Sequence, residues 1–418
     1  MASSVPALRR AALFFLVVSG SACANDLTYK SWFRAKLDPE AGSADAYIRI
    51  EQDNHLVKRL TLRMPVERYQ IGAVDGHWHR DGEQVIWEVP ADGGRLRYLH
   101  PLMSKRENGA FDGQLNEQGG LFRGDDLFPP AAALTEDDAV AIARVRIDVP
   151  EQWSVHTQYG RANNRSRRVE NPQRRFDRPT GWIIAGRLGV RMDEIAGRRV
   201  VTAGFTGEPM RRNDILAFLR WNLPELIRVT GRFPPRLLIV GADDPYWRGG
   251  LSASRSFYLH VDRPMISANG TSTLLHELAH IATGLRAAGD DDWIVEGLAE
   301  YYSLEIMRRT NTISPGRFDD AIVGLGEWSA DVTSIATDRS TGKVTAKAVV
   351  TLHALAQELQ TEFAQADGLD LIMRALAAAD EPVTFAQFRK LVQDLGAANS
   401  KALAQLAILV GDESRSAD

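Results

Sequence analysis

The chain has 418 residues, of which 44% are hydrophobic and 25% are charged, and its formal net charge is −4. This length allows two or three domains with cores of their own, and the composition is that of an ordinary soluble globular protein. The near balance of charge excludes a general electrostatic attraction to nucleic acid or to acidic membranes, so no nucleic-acid partner is expected.

Residues 1–24 have the pattern of a signal peptide. Arg9 and Arg10 precede an apolar run that is too short to span a bilayer, and small residues offer a cleavage site before Asn25. No other stretch approaches the roughly 20 apolar residues that a transmembrane helix needs. The sequence therefore predicts an exported protein, periplasmic or secreted, from a bacterial envelope.

The only cysteine, Cys23, lies at this cleavage site. Cleavage before Asn25 removes it and leaves a mature chain that cannot form a disulfide. The alternative is a lipoprotein that is cut behind Ala22 and anchored to the membrane through a lipid on Cys23. Gly20 stands where such signals usually carry leucine, which favours the first interpretation.

The pattern of residues 25–155 is that of β-strands. Segments such as "LVKRLTLRM", "EQVIWEVP" and "LRYLHPL" alternate or run apolar, and Gly, Asp and Pro separate them. Several short strands at this spacing predict an N-terminal β-sandwich domain. Trp153, near its end, is predicted to pack at the junction with the next domain.

A basic segment without periodicity follows at residues 156–179. Seven arginines fall between Arg161 and Arg178, and the pattern indicates a loop or linker. The favoured interpretation is a solvated connector whose arginines pair with neighbouring acids. The alternative is a loop that docks an anionic surface or a substrate.

Strands and helices mix up to residue 310, and residues 311–418 are predicted to be a helical C-terminal domain. The segment "RSFYLHVDR" (residues 255–263) reads as a strand. It is expected near a sheet edge, because polar residues and a proline flank it.

Within "TLLHELAHIATGL" the apolar residues recur at helical spacing and form one stripe. His276 and His280 are four positions apart, so they share a helix face that points away from that stripe. Gly284 is predicted to end this helix, since glycine readily adopts the left-handed conformation that terminates helices.

A second amphipathic helix follows in "DDDWIVEGLAEYY". Glu296 and Glu300 lie four positions apart on its polar side, opposite the apolar residues. One of the three aspartates Asp290, Asp291 and Asp292 is expected to cap its N-terminus.

Two imidazoles and a carboxylate converge if the polar faces of these helices meet. His276, His280 and Glu296 then form the three-ligand set of a catalytic zinc site with one Zn²⁺ and an open fourth position. Glu277, between the histidines, is placed as the general base for the metal-bound water. Glu300 is placed to orient a ligand histidine from behind.

At these residues the sequence resembles the gluzincin metallopeptidases, especially the aminopeptidase N and glycyl aminopeptidase-like branches. The matching motifs are "HELAH" and "WIVEGLAEYY". The resemblance implies zinc ligation by His276, His280 and Glu296, and general-base catalysis by Glu277. It also implies a multidomain α+β fold: an N-terminal β-domain, a thermolysin-like catalytic domain over residues 156–310, and a helical C-terminal part.

The sequence departs from these relatives in three places. The spacing between His280 and Glu296 is shorter than in aminopeptidase N relatives, so the connecting loop must be tighter. Ser252 stands where those aminopeptidases carry a glutamate that holds the substrate's amine. No tyrosine follows Tyr302, although relatives use a downstream tyrosine to stabilise the oxyanion. His353 is an alternative donor, but a core or boundary position is the favoured interpretation.

The first functional hypothesis is an exported zinc metallopeptidase that hydrolyses peptide or protein substrates. The alternative is a non-catalytic envelope protein that keeps the fold as a binding or assembly module. A third hypothesis is hydrolysis of a non-peptide bond by the same metal centre.

Overall fold

The structure is a computed structural model that describes residues 27–162, 165–170, 176–379 and 381–412. The predicted signal peptide and Cys23 lie outside these residues. Sheets dominate the N-terminal part and helices the C-terminal part, so the predicted mixed α+β architecture is confirmed. Within the described ranges, no helix combines the length and apolar character that crossing a bilayer requires.

The N-terminal strands form three sheets. Up to residue 105 the strands are β1 (Thr28–Asp38), β2 (Ser43–Glu51), β3 (Val57–Arg63), β4 (Gln70–Val74), β5 (His77–Asp81), β6 (Gln84–Glu88), β7 (Gly93–Pro101) and β8 (Met103–Lys105). The elements that follow are β9 (Phe111–Asn116), β10 (Gly119–Arg123), the short helix α1 (Gly124–Leu127), β11 (Ala131–Thr135), β12 (Val140–Asp148), β13 (Ser154–Thr157), β14 (Gly160–Arg161), β15 (Arg167–Val169) and β16 (Trp182–Gly186). The strand orders are β15-β12-β1-β2-β7-β4, β14-β13-β16-β10-β9-β8 and β11-β3-β6-β5.

The inward faces of these sheets share one apolar cluster. In β1 every second residue from Tyr29 to Leu37 is buried, because successive side chains of a strand point to opposite faces. Within the cluster the rings of Phe33 and Phe128 meet edge to face with centroids 5.4 Å apart. The alternation of apolar and polar residues that the sequence predicts therefore places the apolar side chains in a core between the sheets.

Trp153 packs into the N-terminal cluster, and its predicted place at a domain junction stays a prediction. One expectation for this region was wrong in part. The basic segment is not a solvated connector throughout, because Arg167–Val169 pairs with β12 and Arg178 is buried, donating a 2.7 Å hydrogen bond to the carbonyl of Phe128. Strands therefore continue past residue 155, and the domain limits stay a prediction.

A further sheet and a set of helices complete the chain. The mixed part contains β17 (Leu188–Ile195), β18 (Arg198–Phe205), α2 (Arg212–Thr230), β19 (Arg236–Ala242), β20 (Gly250–Ala253) and β21 (Ser256–His260). The helices after it are α3 (Thr273–Thr283), α4 (Asp292–Arg309), α5 (Pro315–Trp328), α6 (Lys343–Thr361), α7 (Gly368–Ala378), α8 (Phe385–Asp394) and α9 (Lys401–Leu409). The strand order of this sheet is β17-β18-β19-β21-β20.

The edge strand of this sheet is β20, and residues 255–263, which were expected near an edge, contain the strand β21 beside it. All residues of β21 are buried, and the strand pairs with β19 on one side and β20 on the other. The polar residues that suggested an edge lie in the turns that flank β21.

Trp182 of β16 fastens the N-terminal sheets to this edge. Its indole N–H donates a 2.8 Å hydrogen bond to the carbonyl of Leu251, and its backbone N–H donates to the hydroxyl of Ser256, also at 2.8 Å. Its ring lies 5.4 Å from that of Tyr258. The N-terminal part therefore supports β20 and β21 directly.

A buried carboxylate ties three helices together. Asp370 of α7 is fully buried and accepts hydrogen bonds from Tyr302 at 2.8 Å and Arg309 at 2.7 Å, both on α4. Arg228 of α2 donates to the same carboxylate at 3.1 Å. The C-terminal helices are thereby fixed against the helix that carries Glu296.

Asp370→Ala should therefore destabilise the fold strongly. It removes the acceptor of the buried Tyr302 hydroxyl and one of the acceptors of Arg309, which keeps Glu305 as a partner. Losing a buried hydrogen bond to a charged group costs about 1.5–3 kcal/mol. Urea unfolding followed by circular dichroism measures the effect. Asp394→Ala is the matched control: it removes an exposed carboxylate that pairs with Lys390 on α8, and should leave the unfolding midpoint nearly unchanged. Equal midpoints for both variants would contradict the assignment.

Candidate metal centre

Local interactions define the ends of α3. The Ser272 hydroxyl accepts a 3.4 Å hydrogen bond from the Leu275 N–H, and it donates to the carbonyl of Met265 at 2.7 Å. Gly284 ends the helix with a φ of +64°, and its N–H donates to the carbonyl of His280 at 2.8 Å. The predicted termination at Gly284 is confirmed.

The two faces of α3 have different roles. Its buried face packs on the sheet and on neighbouring helices through Leu274, Leu275, Leu278, Ala279 and Ala282. His276, Glu277 and His280 are only partly buried and line a cleft of about 1100 Å³. The face opposite the buried one thus presents three polar side chains to the cleft.

The first turn of α4 is held by a contact that the sequence did not reveal. Asp291 occupies the N-cap position, but its carboxylate does not cap α4. It accepts a 2.9 Å hydrogen bond from the Phe385 N–H at the start of α8. An aspartate thus occupies the N-cap position as expected, but its side chain does not cap the helix, because a distant backbone group takes the carboxylate.

His276, His280 and Glu296 converge across the α3–α4 interface. The Nε2 atoms of the two histidines are 3.1 Å apart, and they lie 3.3 Å and 3.4 Å from the carboxylate oxygens of Glu296. Two ligands that each lie about 2.1 Å from a tetrahedral zinc ion are about 3.4 Å apart. The two carboxylate distances end on different oxygens of Glu296, Oε2 for His276 and Oε1 for His280. The three side chains are therefore close enough together to hold one divalent ion.

Glu300 lies behind His276. Its carboxylate accepts a 2.9 Å hydrogen bond from Nδ1 of that histidine. Because Nδ1 must carry a proton to donate, the lone pair of the neutral ring is on Nε2, the atom that faces Glu296 and His280. The arrangement holds the histidine in the tautomer and orientation that metal ligation requires.

The electrostatics of this group favour positive charge. Burial acts to lower the pKa of His276, but hydrogen bonds to Glu296 and Glu300, with the nearby charge of Glu277, raise it well above its usual value. Burial acts to raise the pKa of Glu296, but hydrogen bonds from His276 and His280 hold it below its usual range. The carboxylates thus draw a proton onto His276, and a divalent ion would replace that proton.

A second group of possible ligands, at Asp243, Asp244 and His260, fits a metal less well. Nδ1 of His260 accepts a 3.2 Å hydrogen bond from the Asp262 N–H, so the neutral ring carries its proton on the atom that faces the aspartates. Asp244 also forms an ion pair with Arg248. The ring thus presents an N–H, which has no hydrogen-bond partner among the described residues, and the carboxylate of Asp244 is already paired.

Glu277 lies against the edge strand. A Cβ atom at Gly250 would be 3.3 Å from Cγ of Glu277 and 2.7 Å from Cγ2 of Thr273. Only glycine allows this close approach without displacing α3. The carboxylate of Glu277 is therefore held between β20 and the converging ligands.

The alternative donor His353 lies away from the cleft. Its ring packs 5.4 Å from that of Phe318 and 6.2 Å from that of Tyr301, and it does not contribute to the cleft lining. Another hydroxyl on the same helix, that of Thr345, is hydrogen-bonded to the hydroxyl of Ser340 at 3.0 Å, and Thr345 does not line the cleft either. His353 is thus a packing residue of the helical part and not an oxyanion donor.

Backbone hydrogen bonds from the C-terminal part hold the short loop between α3 and α4. The Ala288 N–H donates to the carbonyl of Val383 at 2.9 Å, and the Val383 N–H donates to that of Arg286 at 2.7 Å. The Thr337 N–H donates to the carbonyl of Asp290, also at 2.7 Å. Nothing in the local sequence signals these contacts, yet they set how α4 lies on α3.

Comparison with known proteins shows the fold. The structure is similar to that of an aminopeptidase N family protein from Idiomarina loihiensis, with a TM-score of 0.62 and 15% sequence identity over 83% of this chain and 70% of that one. No protein family model matches the sequence, and no curated protein matches it. The chain therefore has an aminopeptidase-like fold.

Glu300→Gln should weaken zinc binding about 10-fold at pH 7, toward the lower end of the effect of losing an orienting contact behind a metal ligand. The neutral amide still accepts the hydrogen bond from His276, so packing is preserved while the charge is lost. Competition with a chromogenic chelator measures the affinity. Glu327→Gln, which neutralises an exposed glutamate on α5, is the matched control and should bind zinc like the wild type. Indistinguishable affinities for the two variants would exclude the orienting role.

Proposed function

We propose that the protein is an exported zinc-dependent peptidase that binds an extended peptide along β20 and hydrolyses a bond beside Glu277. The observation that carries the proposal is the convergence of the Nε2 atoms of His276 and His280 and the carboxylate of Glu296 within the distances that separate the ligands of one ion. This group opens into a cleft. The aminopeptidase-like fold supports a hydrolase, and the motif order supports a thermolysin-like catalytic region.

The open edge of β20 supports a peptide substrate. The His260 N–H donates a 3.0 Å hydrogen bond to the carbonyl of Gly249, so these residues form a hydrogen-bonded pair across the two strands. Because such pairs alternate in an antiparallel ladder, the N–H and C=O groups of Gly250 and Ser252 point away from β21. An extended peptide can pair with these groups as an added strand.

The proposed chemistry divides between the ligands and Glu277. His276, His280 and Glu296 would hold zinc, which supplies Lewis acidity that polarises a carbonyl and makes water a stronger acid. Glu277 removes a proton from the attacking water and delivers it to the nitrogen that leaves. Glu300 keeps His276 oriented throughout.

The edge strand favours cleavage within a peptide over removal of its first residue. β20 consists of Gly250, Leu251, Ser252 and Ala253, none of which is acidic. A free N-terminal ammonium would find no carboxylate partner on this strand.

Glu277→Gln should abolish most of the hydrolysis while leaving the metal in place. Loss of a general base costs about 10²–10⁴-fold in rate, and the carboxamide occupies the same volume without touching a ligand. Cleavage of a broad peptide library, read by mass spectrometry, measures turnover, and elemental analysis of the purified protein measures zinc. Glu327→Gln serves again as the control with unchanged turnover. A fully active Glu277→Gln enzyme would refute the assigned base.

A second candidate function is a non-catalytic binding module that keeps the metal centre. The observation that favours it is the absence of tyrosine from the cleft lining of the described residues, together with the absence of any tyrosine after Tyr302 in the sequence. Zinc in the wild-type protein without turnover of either the peptide library or an ester library would favour this module over hydrolysis.

A further inference from the structure

The cleft beside the metal centre carries an excess of positive side chains. Its lining includes four arginines, Arg123, Arg232, Arg255 and Arg286, whereas its three carboxylates, Glu277, Asp292 and Glu296, belong to the metal centre or border it. Arg232 is committed to the fold, because it donates hydrogen bonds to the carbonyls of Ala282 and Thr283 at the end of α3.

Arg255 is available to a ligand. It lies in the two-residue turn between Ala253 and Ser256, which are paired across β20 and β21. Its φ is +50°, a left-handed conformation that glycine or asparagine adopts more easily. Within the described residues its half-buried side chain forms no hydrogen bond or ion pair. Arg255 thus occupies a turn position that would suit a small residue, and its guanidinium lines the cleft without an ion-pair partner among the described residues.

Arg123 lies at the same end of the cleft. It is paired in register with Trp182 of β16, whose backbone N–H donates to the hydroxyl of Ser256, the neighbour of Arg255. Its guanidinium forms a long ion pair with Asp125, at 3.7 Å, and lies 5.8 Å from the ring centroid of Trp182. Asp125 also pairs with Arg178, so the charge of Arg123 is only partly compensated. Two guanidinium groups from different sheets therefore face one region of the cleft, next to the β20–β21 turn.

Strand geometry gives the distance of this region from the reacting bond. Glu277 contacts β20 at Gly250, and Arg255 follows five positions later, beyond the end of the strand. At about 3.3 Å per residue, the turn lies roughly 10–13 Å along the strand from Glu277. A peptide paired with β20 would bring a residue three or four positions from the cleaved bond to this turn.

We infer that Arg123 and Arg255 form a carboxylate subsite that selects peptides with an anionic group three or four residues from the cleaved bond. This inference rests on the proposed peptidase function. Guanidinium groups bind carboxylates through strong, charge-assisted and often bidentate hydrogen bonds. The carboxylate comes either from an aspartate or glutamate side chain or from the C-terminus of the peptide.

A matched set of peptides tests the subsite. Each peptide shares one sequence with a single cleavable bond, and a glutamate or a glutamine occupies one position from one to five residues away on either side. Each is made with a free and with an amidated C-terminus, which separates the two sources of carboxylate. For the wild type we expect KM to be about 10-fold lower for the carboxylate at three or four residues, with little change in kcat.

The variants separate the charge of Arg255 from its place in the turn. Arg255→Asn removes the charge but keeps a residue that tolerates the left-handed backbone, so the fold and the thermal midpoint should be retained. It should bring the Glu-to-Gln preference close to one, as should Arg123→Gln, while Arg255→Lys should retain part of it. Arg191→Gln removes an exposed arginine from β17 at the opposite edge of the sheet and should keep the full preference.

Binding to zinc-loaded Glu277→Gln, measured by calorimetry with the same peptides, distinguishes the two proposals. Carboxylate-dependent binding without cleavage by the wild type would refute the peptidase but keep the subsite. Cleavage of Glu and Gln peptides with equal KM, or a preference unchanged in Arg255→Asn, would refute the subsite and leave the peptidase standing. Neither binding nor cleavage would refute both.

Discussion

Two helices of this protein turn their polar faces toward each other inside a packed structure, and the rest of the fold keeps them there. His276 and His280 on one helix face Glu296 and Glu300 on the other, with side chains that are partly removed from water. Clustered carboxylates in such a place are costly unless positive charge accompanies them. The raised pKa of His276 and the lowered pKa of Glu296 reflect this cost. A proton on His276 offsets part of the negative charge, and a divalent ion would offset it fully.

The other parts of the chain can be understood as supports for this pair of helices and for the strand beside them. The C-terminal part holds the loop between α3 and α4 by backbone hydrogen bonds at Val383 and Thr337, and Asp370 fixes the far end of α4. The N-terminal sheets hold the edge strand through Trp182. The cleft therefore needs all three parts of the chain, although its reactive residues come from one short stretch.

The predictions that held and those that failed differ in the range of the contacts involved. The polar face of α3 and its end at Gly284 follow from helical periodicity and from the backbone freedom of glycine, which act over a few residues. The failures depend on distant partners: Asp291 is bound by the first turn of α8, and His353 packs against Phe318 instead of reaching the cleft. The spacing of residues within one segment does not show which group from a distant segment will contact a given side chain.

By itself, the sequence determined which side chains share a helix face and the order of strands and helices around them, because periodicity and turn chemistry are local properties. Only the tertiary structure decided that the Nε2 atoms and the carboxylate of Glu296 converge across two helices, and that β20, not β21, forms the open edge. It alone placed the charges of Arg123 and Arg255 at one end of the cleft. These features arise from packing between segments far apart in the chain, where the relative positions of elements depend on the whole core.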